Sequence, residues 1–248
     1  MSEMILVVPD LQCPLHDKRF VFEGLARVID DNRKRISRII TIGDELDFTS
    51  IGRWSEGTPD AFTRALGAER DEWVEVARAL RVTDTIRSNH TDRLYSTIMR
   101  KAPGLLGVPE LELESFMRLD QLGIRFHPKG LRVKDWMFIH GDEHRTSQIS
   151  GTSALNNSKA IGLNVCQGHV HRAGLVPWTQ SFQGSITRTL WGMEVGHAMD
   201  IRKASYTRVH QWQQAFGVLY STGNTFSPSL IPVIGGRRFI FEGKEYKW

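Results

Sequence analysis

Five apolar, β-rich runs of four or five residues, each ending in Gly or polar punctuation, constrain this chain more than any other feature. Met4-Ile5-Leu6-Val7-Val8 precedes Pro9-Asp10, Arg38-Ile39-Ile40-Thr41-Ile42 precedes Gly43-Asp44, and Thr83-Asp84-Thr85-Ile86-Arg87 precedes Ser88-Asn89-His90. Further on, Trp136-Met137-Phe138-Ile139 precedes His140, and Leu163-Asn164-Val165-Cys166 precedes Gln167-Gly168-His169. Runs of this length and composition predict buried strands. In an open α/β sheet, side chains just beyond the carboxyl ends of strands converge on one edge, where ligands bind. Residues 18–33 read as a helix crossing over after the first strand. Residues 59–81 carry Phe62, Leu66, Trp73, Val76, Ala77 and Leu80 at near-helical spacing, a stripe that packs on a core. Residues 185–195, 213–222 and 237–242 read as antiparallel strands completing a second sheet.

The punctuation is chemically coherent. Asp10-Leu11-Gln12, Gly43-Asp44, Asn89-His90, His140-Gly141 and Gly168-His169-Val170-His171 supply carboxylate, amide and imidazole donors, the set that two neighbouring divalent ions require. Two cations roughly 3.5–4 Å apart need a shared anionic oxygen between them, with the remaining donors closing each shell. Asp44 is the natural shared carboxylate. Any one of these residues alone reads as a cap, a turn or a buried histidine.

In order and kind the clusters resemble the calcineurin-like metallophosphoesterase superfamily, whose pattern is D-x-H, G-D, G-N-H, H and G-H-x-H. The resemblance covers about residues 4–175 and the remainder more loosely. It is nearest to the small bacteriophage-encoded members of 2′,3′-cyclic phosphodiesterase type, in which Asp-Leu-Gln replaces Asp-x-His. It implies a four-layer α/β/β/α sandwich over a single domain, residues 1–248, with a small helical insertion at about 103–122 that either roofs the site or packs on its flank. It also implies a first metal held by Asp10, Gln12, Asp44 and His171 and a second by Asp44, Asn89, His140 and His169. Attack on phosphorus would come from a hydroxide bridging the two ions, with His90 stabilising or protonating the leaving alkoxide.

Two departures matter. Gln12 stands where an imidazole is usual; a neutral oxygen donor there tilts preference toward Mn²⁺ or Mg²⁺ and away from Zn²⁺, with Mn²⁺ the expected ion and Mg²⁺, Fe or Zn²⁺ the alternatives. The alternative is that Gln12 only hydrogen-bonds a metal-bound water. Ser88 replaces the usual Gly before Asn-His and questions the tightness of that turn. Around the motifs, His16, Arg93, Arg145 and Arg172 are candidates to bind substrate phosphate. Asp47 is either a support for the site or a turn residue, and Glu194 and His197 border the pocket or form a strand-end and helix-cap pair. Trp178, Trp191 and Trp212 are candidate base-stacking platforms or core. Cys13 and Cys166 read as reduced core residues.

At 248 residues and 40% apolar content the chain can bury a substantial core without disulfides. No run approaches a transmembrane helix, and the N-terminus enters a strand with no signal-peptide pattern, so a cytoplasmic protein away from membranes is expected. Thirty-two basic against twenty-eight acidic residues give a net charge of +4, a mild excess that suits anionic substrates and lacks the dense cationic arms of strong DNA binders. The reading is a phosphodiesterase acting on nucleotides or RNA-derived ends, including 2′,3′-cyclic phosphates, with no obligate protein partner. The alternatives are a DNA nuclease, a phosphomonoesterase, and a non-catalytic binding protein with a decayed metal site.

Overall fold

The computed structural model describes residues 3–52, 55–62, 65–204 and 210–248. Alternation along the first strand, β1 (Met4–Val8), shows how the layers arise. All five residues are buried, yet Met4, Leu6 and Val8 point into one apolar cluster while Ile5 and Val7 point into another. A strand buried on both faces must lie between two layers, which explains its uninterrupted apolar run.

On the first face lie a helix that opens with a π-helical turn at Phe20–Leu25 and continues as α1 (Ala26–Asn32), followed after β2 (Ile36–Thr41) by α2 (Leu66–Leu80). Trp73, Val76, Ala77 and Leu80 of α2 are buried in that cluster, as their spacing predicts. Phe62 departs from the stripe: it sits in a separate 3₁₀ turn, Pro59–Phe62, and is 87% exposed, while residues 63–64 lie outside the described residues.

Next come β3 (Asp84–Ile86), α3 (Thr91–Lys101), two short helices α4 (Leu113–Phe116) and α5 (Leu119–Leu122), and β4 (Arg125–His127). Residues 103–122 are helical in short pieces, 3₁₀ turns at Pro103–Leu105 and Pro109–Leu111 followed by α4 and α5, and Phe116, Met117 and Leu119 join the helix-side core. The Trp73 indole donates to Met117 O (3.2 Å), and Phe116 lies against Phe48, so the segment packs beside α2.

The second sheet draws on β5 (Leu131–Val133), β6 (Trp136–Phe138), β7 (Asn164–Gln167), β8 (Ala173–Phe182) and β9 (Ser185–Val195), with α6 (Thr152–Ile161) preceding β7. Strands β10 (Ala215–Thr222) and β11 (Thr225–Pro232) return to the first sheet, whose order is β11-β10-β1-β2-β3-β4; the second runs β5-β6-β7-β9-β8. Strands β1 to β4 pair in parallel, and so do β6, β7 and β9, which sets the carboxyl ends of the parallel strands in register.

Ile5, Val7, Ile40 and Ile42 of the first sheet meet Trp136, Phe138, Met193 and Val195 of the second in one dry interior. Outside the second sheet, α6 packs Ala154 on Ile139 and Val165. The result is the four-layer α/β/β/α sandwich. A ribbon of β12 (Arg238–Phe241) and β13 (Lys244–Lys247) closes the helix side with Phe239, Phe241 and Tyr246.

Glu194 is fully buried, and its carboxylate accepts from the backbone N–H groups of Gly151 (2.8 Å), Ser153 (2.9 Å) and Ala154 (3.3 Å). It thus caps the start of α6, where unsatisfied donors and the helix dipole favour an anion. Cys13 and Cys166 are buried free thiols, pushed up in pKa by that burial. Among the described residues no helix is long and apolar enough to cross a membrane.

Candidate metal centre

The loops after β1, β2, β3, β6 and β7 meet at one end of the sandwich and are stitched together by their backbones. Gln12 N donates to Asp44 O (2.7 Å), Cys13 N to Glu45 O (2.8 Å), and Gly168 N to His140 O (2.9 Å). Glycine is required where loops touch. A Cβ on Gly168 would collide with Asp10 Oδ1, and one on Gly43, at φ +95°, would meet His140 Nδ1 and Ser88 Cβ at 2.7 Å. Gln12 (φ 46°), Asp44 (53°), His169 (68°) and His171 (56°) all occupy the left-handed region. Such conformations are uncommon for residues other than glycine and persist where the surroundings enforce them, often at functional sites.

Ligand atoms of Asp10, Asp44 and His171 lie within 4.8 Å of one another, and all three residues are buried. His171 Nε2 is 3.2 Å from Asp10 Oδ2 and 3.1 Å from Gln12 Nε2, and Gln12 Nε2 donates to Asp44 Oδ2 (3.3 Å). Asp44 turns its other oxygen the opposite way: Oδ1 is 3.3 Å from His140 Nε2, itself 3.0 Å from Asn89 Oδ1. His169 stands beside this second group, its ring 5.0 Å from that of His140. One carboxylate therefore faces two donor clusters.

The tautomers suit ligation. His140 Nδ1 donates to Ile42 O (2.9 Å), leaving Nε2 to the cluster, an arrangement that fixes ring orientation in metal-binding histidines. Asp10 is held by His169 N, which donates to its Oδ2 (2.8 Å); its Oδ1 is buried with no hydrogen-bond partner among the described residues. Burial alone would raise the Asp44 carboxyl, but the His140 and His90 imidazoles hold it well below the usual range. Burial likewise works against charge on His140, and Asp44 overcomes it, lifting the imidazole to about 10. The cluster thus calls for positive charge beside Asp44. A proton on His140 can supply it, and divalent ions binding deprotonated ligands supply it better. The orphaned oxygen and the mixed carboxylate, imidazole and amide donors fit such ions.

His90 stands at the edge of the centre, Nε2 3.7 Å from Asp44 Oδ2 and Nδ1 3.7 Å from Asp47 Oδ1. Arg93 donates from Nη2 to His90 Nε2 (2.6 Å) and from Nη1 to Asp47 O (2.6 Å), so Arg93 and Asp47 grip His90. The remaining candidates separate. His16 is 1% exposed and turns toward Phe22 and Glu72, where burial lowers its imidazole to about 4; the structure does not bring it into the centre. Arg172 is buried, and its guanidinium donates to Ser147 O, tying down a loop instead of facing the mouth. Arg145 is exposed.

Ser88 was legible only as a departure from pattern. Its hydroxyl accepts from Asp44 N (3.1 Å) and Thr91 N (3.2 Å), while Ser88 N donates to Thr91 Oγ1 (2.9 Å). The S-x-x-T spacing is a capping signal of the reciprocal kind. Trp212 also joins the centre, its ring 4.5 Å from that of His171 at 83°, by a contact that no local pattern announces.

Fold and site together define a four-layer α/β/β/α protein with a buried carboxylate–imidazole centre beyond the strand ends. No protein-family model matches the chain. Gene 54 protein of Mycobacterium phage D29 is 29% identical over 249 residues, covering 96% of both chains. Gene 54 protein of Mycobacterium phage L5 is 28% identical over 259 residues, covering 100% of both. Among solved structures, Vps29 of Chaetomium thermophilum is similar at 10% identity and a TM-score of 0.47, covering 99% of both chains. Vps29 of Cryptosporidium parvum has 12% identity and a TM-score of 0.46, covering 98% of this chain and 94% of its own. Vps29 of Entamoeba histolytica complexed with Zn²⁺ has 12% identity and a TM-score of 0.44, covering 98% and 95%.

Proposed function

We propose that this chain is a binuclear metallophosphoesterase that hydrolyses phosphodiesters of nucleotides or RNA-derived ends, 2′,3′-cyclic phosphates among them. The observation that carries the reading is Asp44, whose two oxygens, one toward Gln12 and one toward His140, address separate donor groups. Asp10, Gln12, Asp44 and His171 would hold one ion and Asp44, Asn89, His140 and His169 the other, Mn²⁺ being preferred for its tolerance of oxygen donors. When bound, the ions supply Lewis acidity and lower the pKa of water enough to make a nucleophile at neutral pH.

The protein's own groups do the rest. Asp47 and Arg93 fix the His90 ring at the edge of the centre. Because Arg93 donates to Nε2, the resting imidazole carries its proton at Nδ1, facing Asp47. To protonate a leaving oxygen, His90 would first take a second proton from solvent at Nε2, against the burial that lowers its pKa and with Asp44 and Asp47 favouring the charge. Arg93, displaced from Nε2, would then turn its guanidinium to the phosphoryl oxygens.

The test is hydrolysis of an aryl phosphodiester and its monoester with Mn²⁺, with Asp44→Asn prepared identically. Diester turnover that vanishes in Asp44→Asn supports the reading. Activity surviving in that variant would overturn the site, and no turnover of either ester without bound metal would favour a binding protein.

A further inference from the structure

Two donors of the proposed second metal site come from different sheets: Asn89 follows β3 of the first and His140 follows β6 of the second. Among the described residues, two polar contacts join these loops directly. One is between the donor atoms themselves, Asn89 Oδ1 and His140 Nε2 at 3.0 Å, and is given up when both atoms turn to an ion. The other is made by Arg87, whose Nη1 donates to the two carboxylate oxygens of Asp142 at 2.8 and 2.7 Å. Arg87 stands just before Ser88-Asn89, and Asp142 just after His140-Gly141, so this tie outlasts the first and sets the spacing of the two donors.

Both ends of the tie are braced. Arg87 N donates to His127 O (3.2 Å) on β4, and its Nε and Nη2 donate to Asp92 in the first turn of α3. On the other side, Gly141 N donates to Glu143 Oε2 (2.8 Å), and a Cβ on Gly141 would lie 2.7 Å from the Gln167 amide of β7. Carboxylates engage every nitrogen of the Arg87 guanidinium, so the group is committed to the loops and is not a receptor for substrate phosphate. The Asp142 side chain is only 14% exposed, and a charge-assisted bond holds better there than on open surface.

Resting on the binuclear reading, we propose that Arg87 and Asp142 are positioning residues whose ion pair holds Asn89 and His140 in place for the second metal ion and so governs retention of that ion alone. The first donor set escapes because Asp10, Gln12 and His171 come from the loops after β1 and β7. A purely electrostatic role has the opposite sign. Removing the guanidinium frees a carboxylate near a cation site, which by charge alone would tighten metal binding, whereas loss of positioning weakens it.

Calorimetric titration of Mn²⁺ into the metal-free protein, with electron paramagnetic resonance of the loaded protein, tests the assignment. The parent should take two ions and show the exchange-coupled spectrum of a Mn²⁺ pair. Arg87→Gln should weaken the second ion about tenfold to hundredfold, the usual worth of a partner that orients metal ligands, and leave the first within about twofold. At limiting Mn²⁺ its spectrum should then be that of isolated ions. Asp142→Asn should behave alike, and the double variant should lose no more than either single one, because the pair acts as a unit. Arg87→Lys, which keeps the charge but cannot grip both carboxylates, should recover part of the loss. Thermal unfolding of the metal-free variants exposes a merely structural role, which would lower Tm and weaken both ions alike. Equal weakening of both ions, an unchanged second affinity or a tighter one overturns the clamp alone. A parent that takes a single ion or none overturns the binuclear reading and the clamp together, and is recognised without any variant.

Discussion

At Gln12 an amide occupies the place of an imidazole, and its Nε2 lies 3.1 Å from His171 Nε2 and 3.3 Å from Asp44 Oδ2. Rotation of the amide would present its carbonyl oxygen to the same spot, a neutral donor weaker than imidazole for most divalent ions. Gln12→His should therefore retain more metal through dialysis, read by elemental analysis, and unchanged metal content would remove Gln12 from the ligand set. Ser88 has a different duty. Its hydroxyl ties Asp44 N to Thr91 N across the loop after β3. Ser88→Ala should cost about 1–2 kcal/mol by leaving two buried donors without an acceptor. That lowers Tm by roughly 2–8 °C in a chain of this size, and thermal unfolding unchanged within error would show that water replaces the hydroxyl.

Among the elements, those with strong local pattern were legible: β1 over Met4–Val8 and β9 over Ser185–Val195 fall where the apolar runs place them. The five clusters that build the centre were legible for the same reason, since each terminates such a run. Strand β8 was not, because Gly174 and Pro177 interrupt it and its last four residues are exposed. Helix α6 was also missed: Asn156, Asn157 and Ser158 are poor helix formers, and its start is fixed by Glu194, about forty residues away in sequence. The Trp212–His171 contact is likewise tertiary, whereas the Arg93–His90 contact is a local i,i+3 pair at the start of α3. Because Glu194 satisfies three buried N–H groups, Glu194→Ala should destabilise the protein by roughly 2–4 kcal/mol. Amide exchange should rise first in α6 and its preceding turn; protection there equal to the parent would show that the cap contributes nothing.

For the whole molecule, a buried charge away from the centre is held only where partners meet it, as at Asp84 beside Arg38, Arg125 and His127 and at Glu194 on three N–H groups. A buried group without such partners must stay neutral. His16 is such a group: 1% exposed, neither ring nitrogen has a hydrogen-bond partner among the described residues, and burial lowers it to about 4 despite Glu72 at 4.0 Å. An unfolded histidine titrates near 6.5. Above that pH the ring is neutral in both states and contributes no slope. As pH falls below 6.5 the unfolded chain takes up a proton that the folded chain refuses, so stability drops until the folded ring also protonates near 4. The depression amounts to roughly 3 kcal/mol lost across that window. His16→Phe fills similar volume without a titratable nitrogen. Its chemical-denaturation stability relative to the parent should therefore be constant above pH 7 and improve by about 1 kcal/mol per pH unit on acidification. A difference that stays flat from pH 7 to pH 4.5 would mean that the folded protein admits the proton, through Glu72 or a local opening of the helical layer.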